Sequence, residues 1–193
     1  MRTAERNRKT AETDIQLKLN LDGTGMSKIS TGCGFLDHML TAFARHGRFD
    51  LDISCKGDIC VDDHHTVEDT GVCLGDAFAR ALGDRQGIAR YGSTLLPMDE
   101  ALILTAVDLS GRGLLCYELE IPTEQVGSFD TELVEAFLLA FTRQSNITLH
   151  IRQLAGKNSH HIIEGTFKSL ARSLDAASAM DPRFSLEITP VKG

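Results

Sequence analysis

His64-His65-Thr66-Val67-Glu68 returns later in the chain as His160-His161-Ile162-Ile163-Glu164. Both histidines and the glutamate recur at a constant offset of 96 residues (64 to 160, 65 to 161, 68 to 164). Each copy runs into an apolar stripe at helical spacing: Val67, Leu74, Phe78 and Ala81 in the first, Ile163, Leu170, Leu174 and Ala177 in the second. The repeat is far longer than a solenoid unit. It marks a duplicated chain, with residues 1–87 and 88–193 as the halves of one compact unit and a site at their junction.

Helical geometry gives the cassette its chemistry. Positions i and i+4 pair His64 with Glu68 and His160 with Glu164, while i and i+3 pair His65 with Glu68 and His161 with Glu164. Adjacent histidines point roughly 100° apart on a helix. Two cations, each drawing one imidazole from each copy, are therefore simpler than one shared ion. Imidazole and carboxylate without thiolate suit Mn, Fe, Co, Ni or Zn, and spacing alone does not choose among them. One His-His-x-x-Glu would be explained by an exposed helix N-terminus. Two copies in register, with His38 and His150 besides, shift the reading to metal.

At 193 residues, 42% of them hydrophobic and 24% charged, the chain can bury a core and falls among ordinary soluble globular proteins. Its net charge of -7, from 20 Lys and Arg against 27 Asp and Glu, argues against nucleic-acid or anionic-membrane partners. No apolar run suits a membrane span, and Met1 to Thr13 lacks an apolar core for export, so the cytoplasm is expected. Cys33, Cys55, Cys60, Cys73 and Cys116 form no Cys-x-x-Cys pair and read as reduced, mostly buried thiols.

Along the chain, Arg2, Arg6, Arg8 and Lys9 read as a solvated basic edge. Ile15, Leu17, Leu19 and Leu21 alternate with polar residues as a half-buried strand. Asp22-Gly23 reads as a hairpin turn returning through Lys28 to Thr31. Phe35 to His46 is a helix stopped by Gly47, and Phe49, Leu51 and Ile53 form a third strand. The first cassette helix runs to about Asp84.

The second half opens with Ile88 to Leu96 and a turn at Pro97 to Glu100. Ala101 to Asp108 follows as a strand with Leu114 to Ile121 as its partner. Pro122 to Ser128 is a loop, Phe129 to Gln144 a helix, and Ile147 to Arg152 a strand with His150 on its polar side. The second cassette helix ends before Asp181-Pro182. Each half thus reads approximately as strand, strand, helix, strand, helix. This is an α+β two-layer sandwich of duplicated ββαβα-type halves.

Several stretches resemble imidazoleglycerol-phosphate dehydratases: Thr10-Ala11-Glu12-Thr13, Gly34-Phe35-Leu36-Asp37-His38-Met39-Leu40, Asp62-Asp63 with the first cassette, Leu109-Ser110-Gly111-Arg112, Thr148-Leu149-His150-Ile151, and Gly156-Lys157-Asn158-Ser159 with the second. The resemblance covers essentially the whole chain. It implies a manganese-dependent lyase of histidine biosynthesis that removes water from imidazole glycerol phosphate to give imidazole acetol phosphate. It implies two Mn2+ per active site, with His38, His64, His65, Glu68, His150, His160, His161 and Glu164 as metal positions. It also implies a fold like domain 2 of ribosomal protein S5, and a homo-oligomer of 24 subunits with active sites between neighbours.

Glu12 occupies the family's acid/base position, with His65, Glu68 and Glu164 completing the catalytic set. His38, His46, Arg90, Arg112, Lys168 and Lys192, together with Glu12, fall where the family holds its substrate and the phosphate. The chain departs from the family at its end, Thr189-Pro190-Val191-Lys192-Gly193, which keeps Lys192 but lacks the usual hydroxyls.

These groups suit the chemistry. A metal on a ring nitrogen would be a Lewis acid that lets the imidazole take up electrons as a neighbouring C–H proton leaves. Glu12, unlike carboxylates bound to a cation, keeps its basicity for that proton. Guanidinium forks at Arg90 and Arg112 suit phosphate oxygens. Two readings compete: a dinuclear metallohydrolase, and a metal-binding oligomer without catalysis.

Overall fold

The computed structural model describes residues 1–183. The first half runs β1 (Thr3–Lys9), β2 (Thr13–Asn20), β3 (Ser27–Ser30), α1 (Gly34–Gly47), β4 (Asp50–Gly57) and α2 (His64–Leu82). The second half runs β5 (Tyr91–Met98), β6 (Ala101–Asp108), β7 (Leu114–Glu118), β8 (Gln125–Val126), β9 (Phe129–Asp130), α3 (Leu133–Ser145), β10 (Thr148–Ala155) and α4 (Ser159–Ser178).

The two large sheets share one topology. Their orders are β1-β2-β4-β3 and β5-β6-β10-β7, each with two antiparallel pairings and a parallel edge strand. Ile15, Leu17 and Leu19 on β2, and Ala101, Ile103, Thr105 and Val107 on β6, are buried on one sheet face. That alternation seats both helices of a half on the same side, so each half is a two-layer α+β sandwich. The helix layers of the halves then meet, α1 against α4 and α2 against α3. Gly71 and Gly75 line the second seam, where an added Cβ would lie 2.7 Å from the Phe137 carbonyl oxygen and 2.5 Å from that of Phe141. Phe43, Phe49, Phe78, Phe137, Phe141 and Phe167 fill the space between the sheets.

Several expectations are corrected. The basic N-terminal stretch is strand β1, whose inward Arg6 and Arg8 reach Asp76 (3.1 Å) and Asp69 (2.7 Å) on α2. Ion pairs do there what apolar residues usually do. Asp22-Gly23 does not close a hairpin, because β3 crosses over to pair in parallel with β4. For the same reason β7 partners β10 rather than β6. Pro97 lies inside β5, tolerated because β5 is an edge strand. Phe129 precedes α3: it pairs with Val126 around Gly127 (φ 63°), and its buried ring packs 5.0 Å from Phe35. Among the described residues no helix is long and apolar enough to cross a membrane.

Candidate metal centre and active site

Asn158 caps α4, its side-chain oxygen accepting from the backbone N–H of His160 (2.9 Å) and His161 (3.3 Å). The cap fixes where the helix begins, and hence which way both imidazoles leave it. His160 Nε2 lies 3.0 Å from Glu164 Oε2, one turn further on. Because α1 packs on α4, His38 brings its Nε2 within 3.5 Å of the same oxygen. His38, His160 and Glu164 thus hold ligand atoms within 4.8 Å of one another, forming the one such group of three among the described residues.

Lys168 Nζ sits 2.6 Å from the other oxygen, Glu164 Oε1. Burial pushes the Glu164 carboxyl up, but the hydrogen bond and charge of Lys168, with His160 and His38, outweigh burial and hold it below its ordinary value. His46, in the last turn of α1, is made less basic first by burial and then by the charges of Lys168 and Arg172. His38 and Lys168 therefore meet at Glu164, with His46 close enough to Lys168 and Arg172 to feel their charge.

The first cassette repeats the pattern more loosely. His64 Nε2 lies 3.9 Å from Glu68 Oε2. In both cassettes the two ring planes lie steeply across one another, at 90° for His64 and His65 and 76° for His160 and His161. His65 Nδ1 meets Asp58 Oδ2 at 3.0 Å, and His161 Nδ1 meets Glu100 Oε2 at 2.7 Å.

Within one chain the eight expected metal positions do not form one cluster. His64, His65 and Glu68 stand on α2, which packs on α3 rather than α4. His150 is exposed on β10, opposite Ala106 and Cys116 on neighbouring strands. It lies on the sheet face turned away from the helices.

Glu12 sits in the β1–β2 turn. Thr10 Oγ1 accepts from the backbone N–H of Glu12 (3.2 Å) and Thr13 (2.9 Å), and the Glu12 carbonyl accepts from the Asp58 N–H at 3.1 Å. The same turn is held from the side by Asp69, which accepts from the Thr13 hydroxyl. Arg90 and Arg112 converge on one carboxylate: Arg90 Nε lies 2.8 Å from Asp108 Oδ1, and Arg112 Nη2 lies 3.6 Å from Oδ2. Arg90 has φ 71° and stacks over Tyr91, 5.0 Å from its ring centre. Lys192 lies outside the described residues. The Cys33 thiol is pushed up to about 11 by burial, which leaves it inert as a nucleophile.

Asp58, Asp69, Glu100 and Asp108 are the site-bordering residues that sequence reasoning missed. The one signal for any of them is that Glu100, like Glu12, directly precedes a strand. The donor set of imidazole nitrogen and carboxylate oxygen fits a first-row divalent cation.

A family model described as imidazoleglycerol-phosphate dehydratase matches residues 31–174. The protein of that name from Lachnoclostridium phytofermentans is 57% identical over 182 residues, covering 94% of this chain and 93% of its own. The one from Gluconacetobacter diazotrophicus is 54% identical over 192 residues, covering 100% and 97%. The crystal structure of imidazoleglycerol-phosphate dehydratase from Staphylococcus aureus matches with a TM-score of 0.85 at 37% identity, over 93% of this chain and 99% of that one. The corresponding structure from Pyrococcus furiosus matches with a TM-score of 0.81 at 35% identity, over 95% and 98%. The chain belongs to the imidazoleglycerol-phosphate dehydratase family of hydro-lyases.

Proposed function

We propose that the chain removes water from D-erythro-imidazole glycerol phosphate to give imidazole acetol phosphate in L-histidine biosynthesis, using two Mn2+ per active site. The observation that carries this reading is the group His38, His160 and Glu164, whose ligand atoms lie within 4.8 Å of one another. Three protein donors leave room for substrate on an ion that favours higher coordination. When bound, the cation supplies a Lewis acid for the substrate's imidazole ring.

The chain's own residues do the rest. Glu12 is exposed, and among the described residues its carboxylate makes no hydrogen bond or ion pair, so it is free to carry the proton between substrate carbons. Arg90 and Arg112 receive the phosphate at the rim, with Asp108 holding both guanidinium groups in place until it arrives. Lys168 and Lys192 add positive charge for the same group, and His46, held toward its neutral form, offers the substrate a hydrogen bond. His65, Glu68 and Glu164 complete the catalytic set through the metals.

We place each site between subunits of a homo-oligomer, for which the resemblance implies 24 copies. His64, His65 and Glu68 of one chain would face His38, His160, His161 and Glu164 of a neighbour, and His150 would reach a site from the outer sheet face. The separation of the two cassettes within one chain supports this arrangement. So do Tyr91, Leu95 and Leu154, large side chains exposed on the second sheet. Residues 1–87 and 88–193 are then the two halves of one unit, placed in the cytoplasm, where the free thiols suit a reducing compartment.

Protein loaded with Mn2+ and supplied with imidazole glycerol phosphate should release a ketone, and chelation should stop the release. No ketone from metal-replete protein overturns the proposal.

A further inference from the structure

The hairpins that open the two halves are in register with one another. Thr3 faces Asn20 across the first and Tyr91 faces Asp108 across the second. Asn20 then pairs onward with Asp50, as Asp108 does with Thr148. Glu12 and Glu100 therefore occupy the same position, each one residue ahead of the second strand of its hairpin. Their surroundings have diverged. Glu100 Oε2 lies 2.7 Å from His161 Nδ1, and Glu100 Oε1 accepts from the backbone N–H of Asn158 (2.8 Å) and Lys157 (3.2 Å). Glu12 makes no such contact with His65. In its place Asp58, from the segment between β4 and α2, sets its Oδ2 3.0 Å from His65 Nδ1. The other oxygen, Asp58 Oδ1, is buried and has no partner among the described residues, so the imidazole is the sole hydrogen-bond partner of that carboxylate.

We infer that the duplicated glutamate has divided its work between the halves. Glu100 is the positioning residue of His161, whereas Asp58 has taken over the positioning of His65 and so leaves Glu12 free to face substrate. A carboxylate on Nδ1 fixes the proton there and turns Nε2 outward as the ligating atom. The second histidine of both cassettes is held in this way, by carboxylates that the duplication does not relate. Asp58 also fixes where Glu12 stands, since its backbone N–H donates to the Glu12 carbonyl.

The assignment of Glu12 to chemistry rests on the proposed dehydration, but the positioning by Asp58 and Glu100 does not. The test therefore reads metal binding and histidine protonation on the full oligomer, apart from turnover. Calorimetric titration with Mn2+ should show binding weakened about 10- to 100-fold in Asp58→Asn and in Glu100→Gln. Asp58→Glu should recover most of the affinity. Glu12→Gln should bind Mn2+ as the parent does while kcat falls. In metal-free protein, 15N NMR should lose the Nδ1-protonated signature of His65 in Asp58→Asn and of His161 in Glu100→Gln. Circular dichroism and sedimentation identify a misfolded variant, and Asp58→Glu then carries the test.

Unchanged Mn2+ affinity and unchanged His65 tautomer in folded Asp58→Asn would overturn the inference. So would Glu12→Gln weakening Mn2+ as much as Asp58→Asn does. Full turnover in Glu12→Gln with affinity lost in Asp58→Asn would instead remove the proposed proton carrier and leave the positioning intact.

Discussion

Thr13 donates its hydroxyl to Asp69 over 2.5 Å, which ties the turn carrying Glu12 to the helix carrying His64, His65 and Glu68. Arg8 completes the contact, its Nη2 2.7 Å from the other oxygen of the carboxylate. The proposed acid/base group and the proposed metal cassette, far apart in sequence, are thereby held in one frame. Asp69→Ala should strand a buried hydroxyl and a half-buried guanidinium, and lower unfolding free energy by about 2 kcal/mol. Because Glu12 loses its support, kcat should fall in variant protein that is still folded. Denaturant unfolding at fixed protein concentration, with steady-state kinetics alongside, checks both effects.

The helix seam between the halves makes a second prediction, in which two effects oppose each other. Gly71→Ala would gain about 1 kcal/mol of helix propensity in α2. It would also press a methyl group against the Phe137 carbonyl at 2.7 Å and the Ala140 Cβ at 3.1 Å. Overpacking of this kind costs about 1–3 kcal/mol. Backbone cannot swing aside as a flexible side chain can, so destabilisation should win, and Gly75→Ala should show the same sign. Chemical denaturation reads the result.

The carboxylate and histidine pairs predict pH dependence. In metal-free protein Asp58 and Glu100 raise the basicity of His65 and His161 above 6.5, chiefly through their hydrogen bonds. Their stabilisation is complete below pH 6.5 and disappears as pH rises through the raised values. Glu100 is lowered to about 2, first by His161 and then by the Asn158 and Lys157 N–H groups. Its share is present above 4.5 and disappears as pH falls from 4.5 toward 2. Mn2+ must displace the histidine protons, so its affinity should begin to weaken already above pH 6.5 as the solution is acidified. Calorimetry across pH 5.5 to 8.5, a range spanning the ordinary histidine value, measures this.

Arg90 and Arg112 share Asp108, so neither should be simply replaceable by a lysine. Arg112→Ala should raise KM for the phosphate substrate about 10-fold or more, the scale of one charge-assisted contact, with a smaller change in kcat. Arg112→Lys should recover little, because an ammonium lacks the planar fork. Initial-rate kinetics separate the two parameters.

Much of this was legible in the residues. The repeated His-His-x-x-Glu matches the shared topology of the two sheets, and helical spacing predicted that adjacent histidines part, as their separate carboxylate partners show. Other features depend on contacts between segments distant in sequence. β1 went unread because its inward positions are Arg6 and Arg8, whose partners on α2 only the fold supplies. The turn at Asp22-Gly23 was identified as a turn, but the crossover of β3 to the far side of β4 is topological and leaves no local signature. Asp58 and Glu100 are not legible for the same reason: a carboxylate in a loop carries no sign of the imidazole it meets. That His38 joins His160 and Glu164 while the first cassette stays apart follows from α1 packing on α4 and α2 on α3.

The central claim, that each site is completed by a neighbouring chain, is tested most directly by complementation. His38→Ala disables one ligand group and His64→Ala the other, and each variant should be inactive alone. Chains of the two variants are dissociated by chelation, mixed in equal amounts and reassembled with Mn2+. Sites built from an intact group of each chain should then appear, restoring dehydratase activity to about a quarter of the parent if subunits mix at random. Activity that stays absent at every mixing ratio, in oligomers shown to contain both variants, would contradict the account and place each site within a single chain.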